Sequence, residues 1–155
     1  MINTSLCYLE KDGKYLMLHR IKKENDVNRD KWIGIGGKFE EGESPEECAR
    51  REILEETGLT VHNLAFRGIV TFDCPPYPTD YMHLFTATEF SGELSECSEG
   101  SLEWVDKTKL RTLELWEGDY VFFDLLEKNA PFFSLKLSYD GDDLTSVILN
   151  GEKIR

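Results

Sequence analysis

Apolar positions along the chain gather first into two short runs, residues 4–9 (TSLCYL) and 15–21 (YLMLHRI), joined by the charged link Glu10-Lys11-Asp12-Gly13-Lys14. The Asp-Gly pair supplies the positive φ of a tight hairpin, so the two runs are expected to pair as strands. A polar loop over residues 22–31, of the kind that borders a site, leads to a third apolar segment, Trp32-Ile33-Gly34-Ile35-Gly36-Gly37. Residues 45–57 then read as a helix. Ser44 is a good N-cap, Pro45 suits the first helical position, Glu47 completes a Ser-x-x-Glu capping box, and Gly58 is the expected left-handed stop. Residues 64–73 and 81–90 read as strands separated by a proline-rich loop, CPPYPTD, since proline cannot serve a central ladder.

An acidic irregular run over residues 91–101 precedes a short strand at 102–105 and a helical turn capped by Asp106-Lys107-Thr108. Residues 118–128 predict a second helix, with Val121, Phe122, Leu125 and Leu126 at helical spacing. The chain closes on a hairpin turning at Asp140-Gly141. No repeat, low-complexity tract or linker interrupts the 155 residues, so one α+β domain over 1–155 is expected, with helices packed on a mixed sheet.

Charge narrows the partners. Thirty acidic against 18 basic residues give a formal net charge of −12, which repels a long nucleic acid. A small anionic substrate would need a basic rim or a metal to offset that field. The four cysteines, Cys7, Cys48, Cys74 and Cys97, form no CxxC pair and no zinc-ligand spacing, as expected of reduced thiols in a cytoplasmic protein. Glu10, Lys11, Asp12 and Lys14 break up the N-terminal apolar run, so no signal peptide is expected, and no segment is long enough to span a bilayer. No membrane partner is expected, and nothing in the sequence sets the oligomeric state.

The chemistry concentrates in residues 37–59, GKFEEGESPEECARREILEETGL. On a helix, Glu52, Glu55 and Glu56 share one side, and each like-charged pair costs about 0.2–0.5 kcal/mol even when exposed. A solvated acidic face is one account, and favourable Glu46–Arg50 and Glu47–Arg51 pairs would belong to it. A divalent cation is the other. It explains the glycines ahead of the helix and the crowding of acids, because Mg²⁺ takes one or two carboxylates together with water and phosphate oxygens.

This stretch resembles the Nudix box, filling nine of its fixed positions over 23 residues: Gly37, Glu43, Arg51, Glu52, Ile53, Glu55, Glu56, Gly58 and Leu59. The resemblance implies the Nudix fold, a mixed β-sheet sandwiched between α-helices with, here, a C-terminal β-hairpin. It also implies Mg²⁺- or Mn²⁺-dependent hydrolysis of a nucleoside diphosphate linked to another group. Glu52, Glu55 and Glu56 match the metal-binding glutamates, and the Gly36 carbonyl matches a backbone ligand. Arg51 matches the arginine that steadies them, while Glu43 ties the loop to the helix. The implied mechanism is in-line attack of water on phosphorus, with a carboxylate taking the proton. Either a box glutamate or a loop acid serves as the base. Glu99, five residues before Trp104, is the candidate for the loop acid, and Glu96 comes next.

Beyond the box the chain is similar to the Nudix branch that hydrolyses oxidised purine nucleoside triphosphates. Trp32-x-Gly-x-Gly-Gly-Lys38, Phe72, the Glu99–Trp104 spacing, Trp116 with Asp119, and the closing hairpin carry that likeness. In that branch a tryptophan stacks on the base and an aspartate pair reads its edge. Trp116 and Asp119 match, whereas Gly118 stands at the first aspartate and Ile33 at a purine-binding asparagine. Alternatively, Trp116 is a hydrophobic staple and Asp119 a first-turn acid of the second helix. Phe72 is either core or ligand. Arg20, Lys22, Lys23 and Lys38 form a basic set that can meet phosphates. The expected substrate is a small nucleotide, foremost 8-oxo-dGTP. ADP-ribose, a sugar nucleotide, a dinucleoside polyphosphate, or nucleotide binding without hydrolysis are the alternatives.

Overall fold

The computed structural model describes residues 1–21 and 26–155. Its strands are β1 (Ile2–Lys11), β2 (Lys14–Arg20), β3 (Trp32–Ile33), β4 (Thr60–Val61), β5 (Ala65–Asp73), β6 (Asp80–Ala87), β7 (Phe90–Ser91), β8 (Gly100–Asp106), β9 (Phe133–Asp140), β10 (Asp143–Leu149) and β11 (Glu152–Lys153). The helices are α1 (Pro45–Thr57) and α2 (Asp119–Glu127), with a 3₁₀ segment at Lys107–Thr112. The main sheet runs β11-β10-β9-β5-β6-β1-β2-β3, and β8 pairs with β2. It is mixed, because β1 lies parallel to β6 and β5 parallel to β9 while the remaining pairs are antiparallel.

β1 explains why a sandwich forms. Successive side chains point to opposite faces of a strand. Leu6 and Tyr8 join one buried cluster with Phe122, Phe123 and Leu126 of α2. Cys7 and Leu9 join the other with Ala49 and Ile53 of α1. Both faces of β1 are therefore covered, one by each helix, which matches the expected layering.

The boundaries of α1 fall where the sequence places them. Ser44 accepts from the Glu47 amide, the Glu47 carboxylate accepts from the Ser44 amide, and Gly58 sits at φ 77°. The two i, i+4 pairs expected along α1, Glu46–Arg50 and Glu47–Arg51, do not form. Glu47 is spent on the cap, Arg50 donates to the Val61 carbonyl at 2.9 Å, and Arg51 turns to Glu43 instead. A backbone carbonyl and a bidentate carboxylate hold these guanidiniums better than exposed helix pairs do. The short β4–β7 pair and β11 were not expected, and β8 begins two residues earlier than the apolar run suggests.

Candidate active site

Two rows of side chains on α1 separate by burial. Cys48, Glu52 and Glu56 are four residues apart and form the row that turns inward: Cys48 is buried and Glu56 is 8% exposed. Arg51 and Glu55 form the next row. The Glu55 side chain is 56% exposed and pairs with Arg51 at 3.3 Å. Glu52 and Glu56 line a pocket of about 460 Å³ with Arg20, Gly36, Gly37, Lys38, Arg51 and Glu99, and Glu55 is not among its walls. The helical period put all three acids on one side, but only two of them face the glycine loop.

Arg51 ties this region together. It holds Glu43 through two bonds (Nε to Oε2, 2.7 Å; Nη2 to Oε1, 2.9 Å), donates to Glu52 at 2.7 Å, and donates to the Lys38 carbonyl at 3.0 Å. The loop, the helix and the acid are thereby fixed by one guanidinium. Its hydrogen bonds pull Glu43 down to about 2, so Glu43 stays ionised and bound to Arg51. Glu43 acts as the loop tie that its position suggests.

The two glycines before the helix are needed for different reasons. A Cβ at Gly36 would lie 1.8 Å from the Ser5 carbonyl oxygen, within the backbone pairing of β1. A Cβ at Gly37 would lie 2.5 Å from the Glu52 carboxyl carbon. The variants should therefore separate. Gly36→Ala forces backbone apart and is expected to cost about 3 kcal/mol or more of stability. Gly37→Ala moves only the end of a side chain, and should leave the melting temperature near that of the wild type while lowering turnover. Thermal unfolding alongside an activity assay checks both.

Three carboxylates meet in the pocket. The Gly36 amide donates to Glu56 Oε2 at 3.3 Å. Burial, then a hydrogen bond and charge repulsion from Glu99, push Glu56 up to about 9, with Glu52 adding to the shift. Burial also raises Glu52, against the pull of Arg51. Glu99 enters from the segment before β8 and receives Arg20 Nη1 at 2.9 Å, while Arg20 Nε holds Asp26 at 2.6 Å. Glu96, the other loop acid considered, is exposed and stands away from the pocket.

A second, largely apolar cavity of about 260 Å³ lies beside the first. Trp116, Phe72, Ile33, Asp119 and Asn28 line it, and Lys38 borders both spaces. Phe72 packs edge-on against Trp116 at 4.9 Å between ring centres and also touches Tyr139, so it serves core and cavity together. The Trp116 indole N–H donates to Asn28 Oδ1 at 2.8 Å, and the buried Lys31 ammonium lies 4.8 Å from the ring centre. Burial pushes Asp119 up to about 8, with Lys31 opposing. At Gly118 a Cβ would meet Leu137 and Tyr139 at 2.6 Å, and the Gly118 amide donates to the Tyr139 hydroxyl at 2.8 Å. An aspartate does not fit there without moving the β9 face. Asn28 and Lys31 carry no motif. The polar character of their loop was the only hint of them in the sequence.

A profile of the NUDIX domain matches residues 2–126. The chain belongs to the Nudix family. An oxidized purine nucleoside triphosphate hydrolase of Danio rerio is 35% identical over 124 residues, 79% of this chain and 78% of that one. The Mus musculus protein of the same description is 32% identical, covering 82% of each chain. Among solved structures, a MutT protein of Bacillus halodurans superposes with a TM-score of 0.85 at 29% identity, covering 98% of this chain and 99% of that one. The chain is accordingly a Nudix hydrolase, an enzyme of phosphoanhydride bonds with the mixed-sheet fold.

Nudix hydrolases use divalent metal ions, and the carboxylate pocket suits one. Among the described residues no three His, Cys, Asp or Glu side chains stand together as a ready ligand cage. Arg51 and Arg20 hold Glu52 and Glu99 in place. Mg²⁺ does not require such a cage, since one or two carboxylates with water and substrate phosphate complete its shell. The acid held protonated beside Glu99 marks a place where negative charge is uncompensated, and a cation would replace that proton. Of the cationic residues expected near phosphates, Arg20 is engaged by two carboxylates and Lys38 is exposed between the two cavities. Lys22 and Lys23 lie outside the described residues. No helix among the described residues is long and apolar enough to cross a membrane.

Proposed function

We propose that this Nudix hydrolase cleaves a nucleoside triphosphate to the monophosphate and pyrophosphate with Mg²⁺ (or Mn²⁺), and that 8-oxo-dGTP is the favoured substrate. One juxtaposition carries the proposal: Glu52, Glu56 and Glu99 face one pocket, and Lys38 joins it to an aromatic cavity sized for a base. Glu52, Glu56 and the Gly36 carbonyl would hold the ion, with Glu99 closing the set from the segment before β8 and Glu55 supporting it from the rim. When bound, the ion supplies Lewis-acid polarisation of phosphoryl oxygens and a more acidic water. Arg51 fixes Glu52, and Arg20 fixes Glu99, so both acids keep their places through the reaction. Glu99 takes the proton from the attacking water, Lys38 meets the phosphates, and Trp116 with Phe72 forms the apolar walls around the base.

Asp119 sets a pH dependence in the base cavity. With its carboxyl at about 8, it is neutral below that pH and donates a hydrogen bond to an acceptor on the base. KM should therefore rise as pH increases through about 8, with kcat changing less, and Asp119→Asn, which keeps an N–H donor, should flatten that rise. Steady-state kinetics from pH 6 to 9.5 measures it.

The substrate is tested by kcat/KM with Mg²⁺ for 8-oxo-dGTP, dGTP, other nucleoside triphosphates, ADP-ribose and dinucleoside polyphosphates. A preference for 8-oxo-dGTP over dGTP is expected, and equal values would remove it. Gly118 and Ile33, which differ from the likeness at two base-reading positions, favour a second reading in which another nucleoside diphosphate derivative is preferred. The same panel decides between them.

A further inference from the structure

The geometry points to Asp80 as a specificity-determining residue of the base cavity, accepting a hydrogen bond from an exocyclic amino group of a purine. This rests on the base-binding role of the cavity proposed above. Asp80 is the first residue of β6 and pairs in register with Ile2 of β1, so the sheet places it firmly. Its side chain lines the same cavity as Trp116 and Asp119, among walls that are mostly apolar.

Thr4, itself 9% exposed, donates its hydroxyl to Asp80 Oδ1 at 2.7 Å. Among the described residues that is the one hydrogen bond this carboxyl group makes, which leaves Oδ2 as an acceptor. Asp80 lines a mostly apolar cavity, so a ligand that carries an N–H is the one its second oxygen would hold best. Burial raises the acid, while the Thr4 bond, His83 and Lys38 draw it back toward the ionised, accepting form.

Asn28 and the Gly118 position leave this task open. Asn28 uses its amide oxygen on the Trp116 indole, and Gly118 has no room for a side chain against Leu137 and Tyr139. A protonated Asp119 donates, and a base edge bearing both an acceptor and an amino group needs an acceptor as well. Asp80 supplies it from the start of β6, a strand that no motif marks.

The test compares dGMP with dIMP, which differ only by the 2-amino group, binding to metal-free wild type, Asp80→Ala, Asp80→Asn and Thr4→Val. Titration calorimetry gives the affinities, and circular dichroism confirms that each variant folds. The wild type should prefer dGMP by about tenfold or more, the scale of one buried hydrogen bond to a charged group. Asp80→Ala should bring the ratio near one by weakening dGMP alone. Asp80→Asn, which keeps an acceptor oxygen, should retain part of the preference, and Thr4→Val should lie between. Equal weakening of both nucleotides, a wild type without preference, or a changed ratio of GMP to dGMP would each overturn the proposal. If neither nucleotide binds, the base-cavity assignment fails with it. A normal dGMP affinity with no effect of Asp80→Ala sinks the Asp80 proposal alone.

Discussion

Glu56→Gln is expected to lower kcat by about 10³-fold while leaving the metal-free protein more stable than the wild type. The loss follows from removing an acid that anchors the ion, whose charge stabilisation in the transition state amounts to several kcal/mol. The gain follows from burial. Glu56 is 8% exposed and stands beside Glu99 and Glu52, which with burial hold its carboxyl up at about 9. Glutamine keeps an oxygen for the Gly36 amide and brings no charge. In the folded protein this acid binds its proton more tightly than in the unfolded chain. Its contribution to stability is therefore fully present below the ordinary glutamate range and is lost as pH rises through about 9. The melting temperature of the metal-free wild type should fall from pH 5 to pH 9, and Glu56→Gln should flatten that fall. At pH 8 the variant should gain about 1–2 kcal/mol, the usual size of a stability–activity trade at an active site. A variant that is both inactive and less stable at pH 8 would mean that Glu56 is structural.

Glu99→Gln is expected to cut kcat by about 10²-fold or more with little change in KM, because a general base contributes at that scale. The amide can still accept from Arg20 Nη1, so the loop before β8 should keep its place. Arg20→Gln offers the control. It removes the partner that positions Glu99, and should lower kcat less than Glu99→Gln does. Near-normal turnover in Glu99→Gln would remove this residue from proton transfer and leave the task to Glu52 or Glu56.

Local signals were the legible part of the chain. Helix α1 could be bounded to the residue because Ser44, Pro45, Glu47 and Gly58 act through contacts within one turn. The inward turn of Glu52 and Glu56 was half legible. Helical period placed Glu55 with them, and only the packing of Ala49 and Ile53 on β1 decides which row faces the glycines. Glu99 could be chosen from spacing, yet its link to Arg20 joins residues 79 apart and comes from the β2–β8 pairing. The base cavity was the least legible. Trp116 was recognisable, but its partner Asn28 is 88 positions away, and Asp80 enters through the parallel pairing of β1 and β6. Long-range sheet register assembles that cavity, and a single sequence carries little trace of it. The expected Glu46–Arg50 and Glu47–Arg51 pairs failed because a cap, a carbonyl and Glu43 were stronger partners.

The most direct measurement is product analysis of 8-oxo-dGTP incubated with the wild type and with Glu56→Gln, each with Mg²⁺ and with EDTA. The carboxylate pocket as the metal-dependent centre predicts 8-oxo-dGMP and pyrophosphate from the wild type with Mg²⁺ alone, and almost none from the other three samples. Hydrolysis that persists in EDTA, release of orthophosphate with a diphosphate, or a wild-type rate from Glu56→Gln would contradict it.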